Sequence, residues 1–252
     1  MGSLFVPLNK LLNQPYSSII GYPKATKKEV EKRIKEMKKL GMSSISFQGE
    51  VQLGSLRVLG KGYIGVVVLA KKGKQKVALK IRRTDSIRSK MENEAKLLKI
   101  ANKVNVGPKF ISSSKNFMVM EFVGGKKVLS WIRDLKGKGS ASKLKTTVKK
   151  ILEDCYNLDQ IGLDHGELSV MHKHVLIGKS LAIIDFESGS TKRRTANVTS
   201  ATQSIFIGSG ISKAVKRIYE VPPKGKMIAS LRNYKQDKTR ENFENILRTL
   251  KL

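Results

Sequence analysis

Three glycines, Gly60, Gly62 and Gly65, lie between two short runs of strand-forming residues, and no other feature constrains the fold as tightly. A glycine triplet that opens a helix forms a Rossmann turn around a dinucleotide pyrophosphate. Between strands, the same spacing makes a hairpin whose backbone can approach triphosphate oxygens closely. Alone it would also suit an ordinary Gly-rich hairpin. Two later segments narrow the choice. Val77-Ala78-Leu79-Lys80 ends an apolar strand in an ammonium, which on an inner face needs an acid or a phosphate. Ile183-Ile184-Asp185-Phe186 ends another apolar strand in a carboxylate.

The acid for Lys80 can be sought in the helical pattern over residues 86–103. Ile87, Met91 and Leu98 mark its apolar face, and Glu94 falls on that face at helical spacing while Glu92 falls off it. An acid on a buried stripe is costly unless paired, so Glu94 is the expected partner of Lys80. All three histidines, His165, His172 and His174, lie within ten residues, shortly before Asp185 in the chain.

The remaining pattern gives two halves. Residues 1–25 read as irregular, with an apolar patch at Leu8, Leu11 and Leu12. Thr26 and Glu29 have capping-box spacing and open a helix over 26–40 that Gly41 ends. Its polar face is nearly all Lys and Arg, either a solvated face or one that binds a polyanion. Strands follow at 45–47, 51–53, 56–59, 66–70, 76–81, 109–111 and 117–122. After Gly124-Gly125 come helices over 127–135 and 140–162, a hairpin over 175–184, and helices around 211–220 and 237–251. The expected organisation is a basic helical extension (1–44), a sheet-rich lobe (45–123) and a mainly helical lobe (124–252). There is no internal repeat.

Composition bounds the partners. Fifty basic residues against 20 acidic ones give a net charge of +30 in 252 residues. That excess implies an anionic partner such as a nucleotide, RNA or an acidic surface. A charged thermophile-like surface would raise Lys and Glu together, and here the acids do not keep pace. Cys155 is the single cysteine, so no intrachain disulfide is possible and a reducing, cytoplasmic setting is expected. No apolar run reaches the roughly 18 residues of a membrane span, and the first residues lack a signal-peptide pattern.

In order and separation, the motifs resemble the protein-kinase fold. Gly60-Lys61-Gly62-Tyr63-Ile64-Gly65-Val66-Val67 resembles the Gly-rich loop, Val77–Lys80 the lysine strand, and Phe117–Gly125 the hinge. His165-Gly166-Glu167-Leu168 resembles the catalytic loop, and Asp185-Phe186-Glu187 the metal-binding segment. The resemblance covers about residues 50–190 and is nearest to RIO-type kinases and predicted archaeal serine/threonine kinases. The small kinase of the tRNA threonylcarbamoyl machinery is similar too. It implies an α+β bilobal fold, with an antiparallel N-lobe sheet carrying one helix and a mainly helical C-lobe. It implies ATP as phosphoryl donor, with Gly60, Lys61, Gly62, Gly65 and Val67 over the nucleotide. Ala78 and Met120 would line the purine pocket, Glu121 to Val123 would meet adenine through the backbone, and Lys80 with Glu94 would hold phosphates. Glu167 would be the catalytic base. Asp185 would bind Mg²⁺, with Mn²⁺ as an alternative, and Glu187 could add a ligand.

The departures matter as much. Gly166 replaces the usual Arg, as in RIO-type and other small atypical kinases, and Glu167 replaces the usual Asp. The metal-binding Asn is replaced by His172, by spacing from the base, or by His174, by the apolar run that follows it. Imidazole is a poor Mg²⁺ ligand, so this His could contact phosphate, favour Mn²⁺ or serve a structural hydrogen bond. No Ala-Pro-Glu segment follows Asp185. The leading expectation is an ATP-dependent serine/threonine protein kinase of RIO-like type, acting on a protein Ser or Thr, with RNA or a ribonucleoprotein meeting its basic surface. The alternatives are an ATPase switch in ribosome or tRNA maturation, a nucleic-acid-binding pseudokinase, and a small-molecule phosphotransferase.

Overall fold

The computed structural model describes residues 4–88, 90–208 and 210–252, so the first three residues of the extension and Ser89 of the expected 86–103 helix lie outside the described residues. The chain divides into two compact units. One comprises Met1–Lys99 and Pro108–Phe122, the other Ile100–Gly107 and Val123–Leu252.

The first unit holds strands β1 (Phe5–Pro7), β2 (Met42–Ser46), β3 (Val51–Leu53), β4 (Leu56–Val58), β5 (Gly60–Lys61), β6 (Gly65–Lys72), β7 (Gln75–Arg82), β8 (Phe110–Ser113) and β9 (Phe117–Glu121). It also holds α1 (Tyr16–Ile20), α2 (Lys27–Lys39) and α3 (Glu92–Asn102), the last through Lys99. The main sheet is antiparallel in the order β1-β2-β6-β7-β9-β8, with β5 on β6. Gly73, at φ +58°, turns β6 into β7.

Strand alternation splits the sheet into two faces. Val66, Val68, Ala70, Val77, Leu79, Ile81, Phe117 and Val119 are essentially inaccessible on one face. The N-terminal segment covers them: Leu11, Ile19, Ile20, Val30, Ile34 and Met37 join the same core. Full burial of each such side chain contributes about 1.5–3 kcal/mol. Polar contacts then fix α2 against the sheet. Buried Arg33 donates from Nη1 to the carbonyls of Ile20 (2.9 Å) and Arg82 (2.6 Å). Glu36 accepts from the backbone N–H (2.8 Å) and Nδ2 (2.7 Å) of Asn116. The helix opens with the anticipated capping box between Thr26 and Glu29.

Two expectations are corrected here. Residues 1–25 are not simply irregular, because β1 pairs along β2 and α1 packs into the core. The helix expected from 86 begins at Glu92, and Ile87 is 85% exposed, so Ile87 marks no buried face.

The second unit contains β10 (Lys126–Lys127), α4 (Val128–Asp134), α5 (Ser140–Gln160), β11 (Val175–Ile177), β12 (Leu181–Ile183), α6 (Asn197–Thr202), α7 (Gly210–Val215), α8 (Lys224–Gln236) and α9 (Arg240–Thr249). A 3-10 turn, Leu168–Lys173, precedes β11, and a second, Phe186–Ser188, follows β12. The three strands form a small antiparallel sheet, β10-β11-β12. Helix α5 buries Leu144, Val148, Ile151, Cys155 and Leu158, the stripe its spacing predicts. Helix α8 was not anticipated. The fold is thus the mixed class foreseen, an antiparallel N-terminal sheet followed by a mainly helical part. Among the described residues no helix is long and apolar enough to cross a membrane.

Candidate active site

In the first unit the register gathers the expected nucleotide residues on one face. Val67 is opposite Lys80 across β6 and β7, and Ala78 is opposite Met120 across β7 and β9. With side chains alternating, Val67, Ala78, Lys80 and Met120 therefore project to the same side, away from the covered core. Gly60 and Lys61 pair with Val67 and Val66, and the Gly62 N–H donates to the Gly65 carbonyl at 2.8 Å, closing a tight loop. Gly65 has a packing reason to lack a side chain: a Cβ there would sit 2.9 Å from the Ile81 carbonyl oxygen and 3.1 Å from Lys80 Cγ. Tyr63, at the loop tip, is 77% exposed.

Lys80 Nζ donates to Glu94 Oε1 at 2.8 Å, with both side chains 4% exposed. Glu94 reaches that position although Ile87, one of the three residues used to infer its face, is exposed. Met91 and Leu98 are buried and sufficed to orient it. Removing one member of so buried a pair typically costs 3–5 kcal/mol through the charge left behind. Glu121 ends β9 and takes its backbone N–H to the Lys109 carbonyl, and Val123 begins the following segment.

In the second unit the catalytic-loop motif is tied down from three sides. The inaccessible His165 ring sets its Nε2 3.0 Å from the Ile184 carbonyl and takes the Glu167 N–H on Nδ1 at 3.4 Å. That pair of contacts selects the neutral Nε2–H tautomer. Burial is the main reason the ring's pKa is pushed down to about 4. Gly166 stands at φ +87°, a left-handed conformation that favours glycine. Glu167 uses both oxygens: Oε1 accepts from Ser188 Oγ, and Oε2 lies 2.9 Å from His174 Nε2.

His174 stands directly before β11, its carbonyl accepting from the Ile184 N–H at 2.8 Å. The hairpin thereby sets His174 beside the strand end that leads into Asp185. Its side chain is 6% exposed, and its contact with Glu167 is an ion pair only when the ring is protonated. His172 sits in the last turn of the 3-10 segment and, among the described residues, its side chain makes no hydrogen bond or ion pair. Burial, then Lys173, lowers its pKa. Among the described residues, Asp185 is one of three non-glycine residues with positive φ, at +71°. Such backbone strain concentrates at functional positions.

A sequence profile of the RIO domain matches residues 68–196, just over half of the chain. The chain belongs to the RIO-domain family. An uncharacterised protein of Methanocaldococcus jannaschii is 29% identical over 97 residues, which is 38% of this chain and 80% of that protein. The matched span includes Lys80, Glu94, Glu167 and Asp185. RIO-domain proteins form an atypical kinase family that binds ATP and a divalent metal, so the site is of phosphotransferase type.

The donors of this RIO-domain chain fit such a metal. Carboxylate oxygens of Asp185 and Glu187 lie within 4.8 Å of each other, and hard oxygen ligands suit Mg²⁺ or Mn²⁺. Glu187, 8% exposed, stands where the kinase pattern has glycine.

Several residues that hold the loop were not anticipated. Asn197 accepts the His165 N–H (2.9 Å) and donates to the Leu163 carbonyl (2.7 Å) and to Asp159 Oδ1 (2.8 Å). Asp159 also accepts from Tyr234 Oη at 3.0 Å. Burial raises the Asp159 pKa against these hydrogen bonds. Ser188 and Asp164 belong to the same framework, and Asp164 accepts the Ala196 N–H at 2.9 Å. These partners are 21 to 75 residues apart, so no local pattern marks them.

Proposed function

We propose that this RIO-domain protein is an ATP-dependent serine/threonine kinase that transfers the γ-phosphoryl group to a protein Ser or Thr, on or near a ribonucleoprotein. The observation that carries the reading is the buried Lys80–Glu94 pair, 2.8 Å apart, on the sheet face shared with Val67, Ala78 and Met120. An ammonium so held is a fixed positive charge for the α- and β-phosphates. Gly60, Lys61, Gly62 and Gly65 cover the phosphates, Val67, Ala78 and Met120 enclose the purine, and the backbone from Glu121 to Val123 meets its edge. Asp185, with Glu187, would hold Mg²⁺, Mn²⁺ being the alternative, and a metal held there would supply positive charge to the transferring phosphates. His174 is assigned to the position of the absent Asn, in preference to His172.

Glu167 acts on the acceptor. As the acceptor oxygen bonds to the γ-phosphorus and the bond to the bridging oxygen breaks, the hydroxyl proton passes to the Glu167 carboxylate and ADP leaves. His165 keeps the loop in place through Ile184 and does not exchange the proton. The basic surface suits a cytoplasmic RNA or ribonucleoprotein partner.

A second reading, an ATPase switch, has one specific observation in its favour. Ser188 Oγ already occupies Glu167 Oε1, so a protein hydroxyl must displace it. Incubation with γ-labelled ATP, with and without RNA or a generic protein acceptor, separates the two. Label on Ser or Thr of the acceptor supports the kinase. Release of inorganic phosphate alone supports the switch. Neither product would sink both readings, and Asp185→Asn should abolish either product.

A further inference from the structure

Beside the catalytic loop lies a cavity of about 260 Å³, lined by Asp164, Gly166, Arg193, Arg194, Asn197 and Ser200 among others. At about 30 Å³ per water it has room for about nine, enough for a phosphoryl group and the side chain that carries it. Two guanidinium groups dominate its chemistry, and both are pinned from behind. Arg193 donates from Nε to Asp164 Oδ2 at 2.5 Å and from Nη2 to the Ser188 carbonyl at 2.8 Å. Arg194 donates from Nη2 to the Lys235 carbonyl. A guanidinium has five N–H donors. Among the described residues, these bonds leave Arg193 three donors and Arg194 four, on side chains already held in place. The Asp164 charge is taken up by Arg193 and by the Ala196 N–H.

Gly166 belongs to the same construction. A Cβ at this position would come within 2.3 Å of Arg193 Nη2, so the missing side chain is what lets that guanidinium lie against the loop. The chain thus replaces the loop's usual arginine with one that arrives 27 residues later, next to Glu167.

We infer that this cavity anchors the acceptor through a phosphomonoester it already carries, so the preferred acceptor is a protein segment phosphorylated close to its target hydroxyl. Preorganised guanidinium forks match the oxygens of a phosphate bidentately. A phosphomonoester offers three terminal oxygens and nearly two charges. The phosphodiester of an RNA backbone offers two oxygens and one charge, and the lining holds no aromatic ring on which a base could stack. Gly166 and Leu168 flank Glu167 and both line the cavity, so a group anchored there belongs to the molecule that Glu167 addresses. The site also supplies a grip on the acceptor where the Ala-Pro-Glu platform is missing. The inference rests on the kinase reading for the role of Glu167, but the cavity's ligand can be tested without catalysis.

The test is calorimetric titration of the full chain with a capped phosphoserine tripeptide, its unphosphorylated twin and a 12-nucleotide single-stranded RNA. The phosphopeptide should bind at least tenfold more tightly than its twin. Arg194→Gln should weaken it at least tenfold, and so should Gly166→Ala, which places a methyl group where Arg193 lies. Arg194→Lys keeps the charge but loses the fork, and should weaken binding too. An unchanged thermal midpoint in that variant keeps the result from being a folding defect. Equal binding of the two peptides would overturn the proposal, as would an unchanged affinity in both Arg194 variants. RNA affinity falling as far as phosphopeptide affinity in Arg194→Gln would also overturn it and make the cavity part of an RNA track. If the parent chain binds the phosphopeptide but, incubated with γ-labelled ATP, transfers no phosphate to it and releases none, the kinase reading fails and the anion site stands.

Discussion

The two units treat their key charges in opposite ways. In the first, Lys80 and Glu94 form one short ion pair, nearly sealed from water, at the positions the kinase pattern assigns. In the second, the residue types depart from the kinase pattern: Glu for Asp at 167, Gly for Arg at 166 and, on the proposed assignment, His for Asn at 174. Each change has a local compensation. Glu167, longer by one methylene, is hydrogen-bonded by Ser188 and lies beside His174, and Arg193 occupies the space opened at Gly166. The nucleotide is the same for every kinase, which favours an unvaried set of contacts to it. The acceptor differs from enzyme to enzyme, and on the proposed kinase reading it is met by the half whose motif residues depart from the pattern.

If that division is right, substitutions in the two halves should fail differently. The largest effect is expected in the second unit. Glu167→Gln should lower phosphoryl transfer by roughly 10²–10⁴, the usual contribution of a positioned general base. It should leave ATP affinity unchanged, because the base acts on the acceptor. Single-turnover transfer and a nucleotide-binding titration on the same sample would check both. Full turnover would mean that this loop is not catalytic.

Lys80→Ala should lower transfer by about 10²–10³, the typical cost of one preorganised charge at a developing anion. Unlike the change at Glu167, it should weaken ATP binding as well, since it leaves Glu94 facing the phosphates. Activity within a few-fold of the parent would break the assignment of the first unit.

A smaller difference should appear in acid stability. His165, His172 and His174 are all in the second unit, which also carries the single tryptophan, Trp131. Burial holds the His165 pKa near 4, below its ordinary value of 6.5. The unfolded chain therefore takes up the proton first, and the folded state loses stability as pH falls from about 6.5 to 4. A gap of about 2.5 units corresponds to about 3 kcal/mol at the lower end. Denaturant unfolding followed by Trp131 fluorescence should show the loss, and His165→Gln should flatten it. An equal midpoint at pH 7 and pH 4.5 would mean that the buried ring is not held neutral.

The sequence revealed most where chemistry and periodicity coincide over a short span. Lys80 ends an apolar strand and Glu94 lies on an apolar helical stripe, so burial alone connects them. His174 stood beside His172 as a candidate because the apolar run Val175–Ile177 begins at the next residue, and that run is β11. Other features had no such local mark. Strand β1 is three residues long and ends in a proline, so it exists only because β2 offers a paired edge. Helix α8 carries Gly225 and several lysines, and its buried stripe is only Met227, Ser230, Leu231 and Tyr234. The Asn197–Asp159–Tyr234 brace is assembled from α5, α6 and α8, and each of its residues taken alone reads as an ordinary polar side chain.

The smallest effect sharpens the comparison from the side of the charge. The buried face of α2 is fixed to the sheet by Arg33 and Glu36, which leaves Lys28, Lys32, Lys35 and Lys39 exposed along a single strip. A rigid helix that displays four ammonium groups can track a nucleic-acid backbone, whereas Arg193 and Arg194 in the second unit are partly committed to internal acceptors. Binding of single-stranded RNA should be weak and indifferent to sequence, since few aromatic residues are free to stack. Each phosphate neutralised contributes about −0.7 to the slope of log affinity against log salt. Replacing the four lysines with alanine should therefore flatten the slope by up to about 3 and leave ATP affinity unchanged. If the slope is unchanged in that variant but flattens when Lys192, Arg193 and Arg194 are replaced, RNA is gripped by the second unit and not by α2. A slope near zero in the parent would reduce the strip to a solvated helix face.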